Sequence, residues 1–501
     1  MKHLLILPIL LPMFAGAVLL AAHALGDGLK RAVSLLATLA LVPLALYLVL
    51  LADDGVLRAY ALGNWQAPYG IALLLDRFSA LMLLLTAVLA SFALLYALGD
   101  DDQRGPNFHA LFQFQLLGIN GAFLTADLFN LFVFFEILLI SSYSLLTLGN
   151  GRDQVKAGVH YVVLNLLGSA FFLIGVAMLY GLLGTLHMSD VASKVAQAEP
   201  DQAALISGAA YLLLLVFALK AAILPLYFWL PKAYAAAPVA VAALFAIMTK
   251  VGLYAIIRVF TLIFGEGAGP LAYLAHDLLW WLALATLAAG AVGALASDRL
   301  QMQLGYLVVL SVGTLLAGFA LGSAQALTAT LYYLLHSTLT GGAMFLLGGL
   351  IVAQRGAAGD DLHQLQAVHQ PLLLGAMFFA GTIAITGLPP FSGFLGKLLL
   401  MSAAPTGLQA GLLWTLLLGG GLLSLIALSR AGSQLFWHSH GRVVAGTAPA
   451  RGLQLLAALG LLLTSPLLLV FAQPLLGYLE AAAQQLLILE PYLQLASGGA
   501  A

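Results

Sequence analysis

Four ionisable side chains sit inside runs that are otherwise apolar. Glu136 lies in the middle of Leu131-Phe132-Val133-Phe134-Phe135-Glu136-Ile137-Leu138-Leu139, and Lys220 is equally isolated in Phe217-Ala218-Leu219-Lys220-Ala221-Ala222-Ile223. Lys250 and Lys397 lie within further apolar runs. A charge at the centre of a membrane helix costs roughly 2.5 to 3.5 kcal/mol, so the four together oppose insertion by on the order of 10 kcal/mol. That rivals the whole stability of a domain. Such groups persist only if they pair, line water or spend part of their working life neutral.

Glu136 and Lys220 are the natural pair, because opposite charges about 4 Å apart attract by roughly 4 kcal/mol at an effective dielectric of 20. One carboxylate cannot neutralise three lysines. Desolvation and mutual repulsion disfavour the charged form of any ammonium, so a surplus of buried ammoniums is expected to trade protons, which is the chemistry of a relay. Polar neighbours recur at helical spacing: Lys250, Tyr254 and Arg258 share one face, as do Tyr332, His336 and Thr340. Histidine ordinarily titrates near pH 6.5, which fits His336 to pass a proton between Lys250 and Lys397. His160, beside Lys156, reads as an interfacial residue. Asp76, Arg77 and Asp127 flank apolar runs and read as ends at the headgroups, and Asp100 to Asp102 read as a solvated loop.

The elements that must position these groups are membrane helices. Of 501 residues, 62% are apolar and 8% charged, the reverse of the balance in a soluble domain. A window of about 19 residues finds about fourteen segments long enough to cross a bilayer. They run over 4–24, 32–51, 71–98, 108–125, 128–148, 159–183, 203–230, 239–264, 271–295, 304–321, 327–352, 372–401, 408–436 and 453–478. Lys2, the first apolar run and Ala22-His23-Ala24 mimic a cleavable signal peptide, but 4–24 is long enough to span and reads as helix 1. The fold class expected is an all-α integral membrane protein. The longest polar connections, Asp53 to Asn64 and His187 to Asp201, are too short to fold alone, which excludes catalysis in an extramembrane domain.

Composition excludes further classes. A net charge of -1 offers no clustered basic surface for nucleic acid. The absence of cysteine removes disulfides and thiolate metal ligands, so any redox centre belongs to a partner, and no cofactor or metal site is expected in this chain. Setting aside the three lysines inside spans, eleven Lys and Arg residues, from Lys30 to Arg451 and including Arg442, follow odd-numbered spans. Five, namely Lys2, Arg58, Arg77, Lys194 and Arg258, lie on the other side. The positive-inside rule then places both termini outward.

Proline punctuates two spans. Pro225 lies in the seventh, and Gly387-Leu388-Pro389-Pro390 lies in the twelfth. Each proline lacks a backbone donor and clashes with the preceding turn, so both helices are expected to be broken. The breaks are five spans apart, as two five-helix repeats would give, and matched interruptions point to a transport site near the midplane. The expected organisation is helices 1–3 over 1–107, a first repeat over 108–264, a second over 271–436, and helix 14 with a short tail over 451–501.

Several stretches carry a family resemblance. They are Phe134-Phe135-Glu136, Leu219-Lys220 with Pro225, Trp229-Leu230-Pro231-Lys232-Ala233-Tyr234, Thr249-Lys250-Val251-Gly252, and Gly387-Leu388-Pro389-Pro390-Phe391-Ser392-Gly393-Phe394-Leu395-Gly396-Lys397. Together they resemble the antiporter-like family shared by respiratory complex I and Mrp-type sodium/proton antiporters. The resemblance runs through spans 3 to 13 and implies a fourteen-helix fold with inverted five-helix repeats. It also implies that Glu136 and Lys220 are a gating pair, Lys250 a central relay, His336 a bridging histidine and Lys397 the exit lysine. The lysine at 397, the end of the chain soon after span 14, and Tyr332-Tyr333-Leu334-Leu335-His336-Ser337-Thr338-Leu339-Thr340 look like the D-subunit branch of the Mrp type.

Membership of that branch implies Mrp subunits A, B, C, E, F and G as partners, H+ and Na+ as transported ions, and a bacterial inner membrane as location. The alternative is the proton-pumping membrane subunit of a complex I-like NADH:quinone oxidoreductase. An inert scaffold fails on the insertion penalty of its buried charges. Hard cations want several oxygen ligands, yet Glu136 is the only carboxylate deep in a span, so a sodium site is expected in another subunit or at a shared interface.

Overall fold

A computed structural model describes residues 2–21, 26–65, 70–149, 151–439, 443 and 446–496. Ala22-His23-Ala24 and Arg442 lie outside the described residues. In chain order the helices are α1 Leu7–Ala21, α2 Asp27–Ala52, α3 Arg77–Ala97, α4 Phe108–Leu124, α5 Leu128–Leu146, α6 Arg152–Leu183, α7 Met188–Val195, α8 Pro200–Ala221, α9 Trp229–Ala236 and α10 Val239–Phe245. They continue as α11 Met248–Leu262, α12 His276–Ala296, α13 Leu300–Ala320, α14 Ala324–Arg355, α15 Pro371–Thr386, α16 Ser392–Ala403, α17 Leu408–Gly432, α18 Gly452–Val470, α19 Ala472–Leu487 and α20 Glu490–Ala496. One antiparallel hairpin, β1 Arg58–Ala61 with β2 Ala72–Leu75, stands just before α3.

Twelve helices among the described residues are long and apolar enough to cross a membrane, and the chain is a multi-pass integral membrane protein. Two of the fourteen expected segments are not among them. Segment 108–125 forms α4, which has 17 residues and carries Gln113, Gln115 and Asn120. Segment 372–401 is divided between α15 and α16, both shorter than a crossing helix. The last expected span, 453–478, also ends early: α18 stops at Val470, and Gln473-Pro474 sits in the first turn of the separate α19.

Burial sorts the helices into a centre and a rim. The window in Val239–Leu262 is 100% buried and that in Ala324–Ala358 is 94% buried, against 28% for Gly452–Val470. Apolar side chains on the outer helices face outward at helical spacing, as Leu456, Leu459, Leu463 and Leu467 do on α18. Lys250 and His336 belong to the two enclosed segments, so protein alone surrounds them.

Four aspartates, expected at the headgroups or in a solvated loop, are interior; one is Asp101, which is buried and accepts from the Ala240 amide at 3.0 Å. Asp76 is buried and paired with Arg258, whose guanidinium lies 2.5 and 2.9 Å from its two oxygens. Tyr492 of α20 donates to the same carboxylate at 2.6 Å, and the Ser79 amide at 2.8 Å. Arg258 is therefore a helix residue and not a loop charge, which lowers the basic count on its side. Asp127 is buried and accepts from the Asn130 amide at 2.7 Å, capping α5. Asp102 is buried between Arg31 and His109, at 2.5 and 3.2 Å. A buried carboxylate is tolerated only with such partners.

Candidate functional site

The site is built around two places where helical geometry stops. α8 ends at Ala221, and the next helical residue is Trp229; α15 ends at Thr386, and α16 starts at Ser392. Both ends close by the same backbone device. Ala222 and Gly387 take left-handed conformations, with φ 59° and 84°. The Ile223 amide then reaches back to the Ala218 carbonyl at 2.9 Å, and the Leu388 amide to Ile383 at 3.0 Å. This is the Schellman closure, which leaves the final carbonyls pointing past the helix end.

Each closure has a lysine beside it. Lys220, in the last turn of α8, donates to Oδ1 of Asn165 at 3.0 Å. Lys397, one turn into α16, donates to the Thr386 carbonyl at 2.6 Å, on the free C-terminal end of α15. A helix C-terminus carries partial negative charge, which favours an ammonium there. Both lysines are buried, each 7% exposed.

Glu136 and Lys220 form no ion pair within 4.0 Å, contrary to the expected direct contact. The helix α6 stands between them. The Ser169 hydroxyl lies within bonding distance of the Glu136 carboxylate and of the main-chain carbonyl of Asn165, while Oδ1 of Asn165 takes the Lys220 ammonium and its Nδ2 donates to the Tyr161 main-chain carbonyl. Tyr161, Asn165 and Ser169 recur at four-residue spacing on α6 and so share a face. That spacing was the signal in the sequence, but one amide and one hydroxyl in an apolar run carry no charge to draw attention. Glu136 itself is only half-buried, on the flank of α5 rather than in the interior.

Lys250 is fully buried on α11 and donates to the Ser311 hydroxyl of α13 at 3.2 Å. The rest of its stripe stays joined without it: Arg258 donates to the Tyr254 hydroxyl at 3.0 Å and to Asp76, and Tyr254 donates to the Phe123 carbonyl at 2.6 Å. Gly252 lets α11 approach α8 at Lys220, because a Cβ there would stand 2.5 Å from the Ala221 amide nitrogen. His336 is fully buried on α14, with Nδ1 2.8 Å from Ser392 Oγ and 3.3 Å from Thr340 Oγ1. Ser392 continues to Ser465 of α18 at 2.9 Å. Gly393 makes room for the imidazole, since a Cβ would lie 2.7 Å from Nε2.

The structure thus brings Glu136 and Lys220 together through α6, and His336 together with the start of α16. Among the described residues, no hydrogen bond joins Lys220, Lys250, His336 or Lys397 to one another. Each ends on a neutral oxygen or hydroxyl. Pro225 lies in the turn after α8, and Pro389 and Pro390 lie in the segment before α16. No cluster of three or more His, Asp or Glu that could hold a metal ion occurs among the described residues. Chemically the arrangement presents buried ionisable groups, each held on a neutral oxygen.

Comparison with known proteins supplies the family. The family described as "NADH:quinone oxidoreductase/Mrp antiporter, TM" matches residues 125–426. The chain is 41% identical to the D subunit of a probable K(+)/H(+) antiporter of Rhizobium meliloti (strain 1021), over 97% of this chain and 96% of that protein. It is 38% identical to the D subunit of the Na(+)/H(+) antiporter of Bacillus subtilis (strain 168), over 99% of both. A chain in the structure of the Mrp complex from Dietzia sp. DQ12-45-1b superposes with a TM-score of 0.88 at 27% identity, covering 100% of both chains. The chain belongs to the NADH:quinone oxidoreductase/Mrp antiporter membrane family, on the branch formed by the antiporter D subunits.

Proposed function

We propose that the chain is the proton-translocating subunit of a multisubunit monovalent cation/proton antiporter. Protons move along the midplane through Glu136, Lys220, Lys250, His336 and Lys397. The observation that carries the reading is Lys250, fully buried with a serine hydroxyl as its polar partner. A permanent ammonium so placed keeps its desolvation penalty with no opposite charge to offset it, whereas a group that gives up its proton does not. In this scheme the charge of Glu136 favours the protonated form of Lys220 across α6. Weakening that influence sends the proton to Lys250, and His336 relays it to Lys397. The membrane potential supplies about 2.3 kcal/mol per charge per 100 mV, with inward protons driving cation export.

The same reading includes fourteen crossings, with α4 and the α15–α16 pair completing the twelve long helices. It includes two inverted repeats over 108–264 and 271–436, interrupted at matched places, with 1–107 and 451–501 flanking them. Both termini face outward from a bacterial inner membrane, and Mrp subunits A, B, C, E, F and G are the partners. The half-exposed Glu136 at mid-membrane depth supports a neighbouring subunit there, since a carboxylate facing lipid is expensive. Sodium and potassium are both named for relatives, and the transported cation is read from the assay below.

Inverted membrane vesicles holding the whole complex test the scheme. Lys220→Ala should abolish the pH change that follows addition of sodium or potassium chloride, with the complex still assembling. Retained antiport in that variant sinks the relay. The second reading, a redox-driven pump, draws on a family description that includes NADH:quinone oxidoreductase. Purification with native partners separates the two: iron-sulfur subunits favour the pump, and small multi-span subunits favour the antiporter.

A further inference from the structure

A cavity of about 530 Å³ opens between α6, α9 and α13, and none of the five residues of the proposed proton path lines it. Its walls include Lys156, His160, Lys232 and Arg299, with Val163 and Met302 supplying apolar surface. Arg299 is held by Asp360 at 3.0 Å. Lys156 and Lys232 are exposed and have no carboxylate within 4.0 Å among the described residues, while Asp153 is the single acid on the wall. The wall thus holds two unneutralised ammoniums against one carboxylate, together with a histidine. From the basic end the apolar surface continues outward along α6, where Val159 is 60% exposed, Val163 51% and Leu166 53%.

We propose that this cavity is a binding site for an anionic phospholipid. Its phosphate lies between Lys156 and Lys232, and one acyl chain runs down the valine face of α6. The charge and the apolar surface are both needed for that ligand. A free phosphate uses only the ammoniums, and a zwitterionic lipid gains little from an excess of positive charge. Basic pockets between membrane helices at the cytoplasmic end suit such headgroups. The cavity also lies where basic ends gather: Arg299 joins α13 to the Asp360 loop, and Arg430 of α17 donates to the carbonyls of Leu295 and Ser297 beside it. Site and ligand do not depend on the proton relay, so either can fail alone.

The test uses the whole complex in a neutral detergent, with thermal unfolding followed during separate additions of phosphatidylglycerol, phosphatidylcholine and inorganic phosphate. Phosphatidylglycerol should raise the melting temperature, and the other two should not. The double variant K156Q/K232Q should bind phosphatidylglycerol about 30-fold more weakly, from ~1 kcal/mol for each basic group at the membrane surface. Lys194→Gln, at a lysine paired elsewhere with Asp190, should bind as the parent does. Met302→Trp, which fills the apolar wall and leaves every charge in place, should also weaken binding. An equal shift with phosphatidylcholine or with inorganic phosphate overturns the proposal. So does unchanged phosphatidylglycerol binding in the double variant, the result expected if a partner protein fills the cavity.

Discussion

The two helix breaks share a backbone closure and differ in what holds the lysine. At the first, Lys220 precedes the break and rests on the Asn165 side chain, one turn along α6 from the Ser169 hydroxyl that bonds Glu136. At the second, Lys397 follows the break and rests on a main-chain carbonyl, that of Thr386. A side-chain amide can rotate, and a nearby carboxylate can change its charge. A carbonyl at a helix end can do neither. The first lysine is therefore tunable by its neighbours, while the second sits on a fixed electrostatic feature of the backbone. The closures differ in the same sense: the left-handed residue is alanine at the first and glycine at the second.

The comparison breaks first at the lysines themselves. Lys397→Ala should abolish antiport in vesicles as completely as Lys220→Ala, and surviving transport in one of them would show that only the other end conducts. Gly387→Ala should follow. Its Cβ would stand 2.7 Å from Lys397 Cδ, and a left-handed residue with a side chain costs about 1–2 kcal/mol. Both melting temperature and transport rate should fall.

Smaller changes sharpen the contrast. Asn165→Ala removes a hydrogen bond to a charged group, worth about 1.5–3 kcal/mol, and should slow transport measurably. Thr386→Val leaves the carbonyl that Lys397 uses and deletes a hydroxyl already bonded back to Thr382 at 2.7 Å, so transport should be unchanged. A slowed Thr386→Val with a normal Asn165→Ala would reverse the assignment of which end is tunable. The smallest effect belongs to Ala222→Gly, which relieves the left-handed strain and should raise stability by about 1 kcal/mol, read as a small rise in melting temperature.

Charge was legible in the sequence because it stands out against leucine: Glu136, Lys220, Lys250 and Lys397 announce themselves in apolar runs, and Pro225 and Pro389-Pro390 mark where helices stop. Partners were not legible. Asn165 and Ser169 are neutral, and which helix lies between α5 and α8 is a matter of packing. The Asp76–Arg258 pair spans 182 residues, a separation at which no local pattern moves either residue from the headgroups to the interior. Segment 108–125 forms a helix of 17 residues, and its polar Gln113, Gln115 and Asn120 are tolerated because neighbouring helices shield them. Gln113 bonds to Ser34 and Thr38 of α2, and Asn120 to the Pro8 carbonyl of α1.

Tyr492 donates to a carboxylate that precedes it by 416 residues. Asp76 and Arg258 are both synthesised and threaded into the bilayer long before that phenol exists. Their shell is finished only when α20 folds back over the ends of α3 and α11, so a helix made late in synthesis seals a junction begun much earlier.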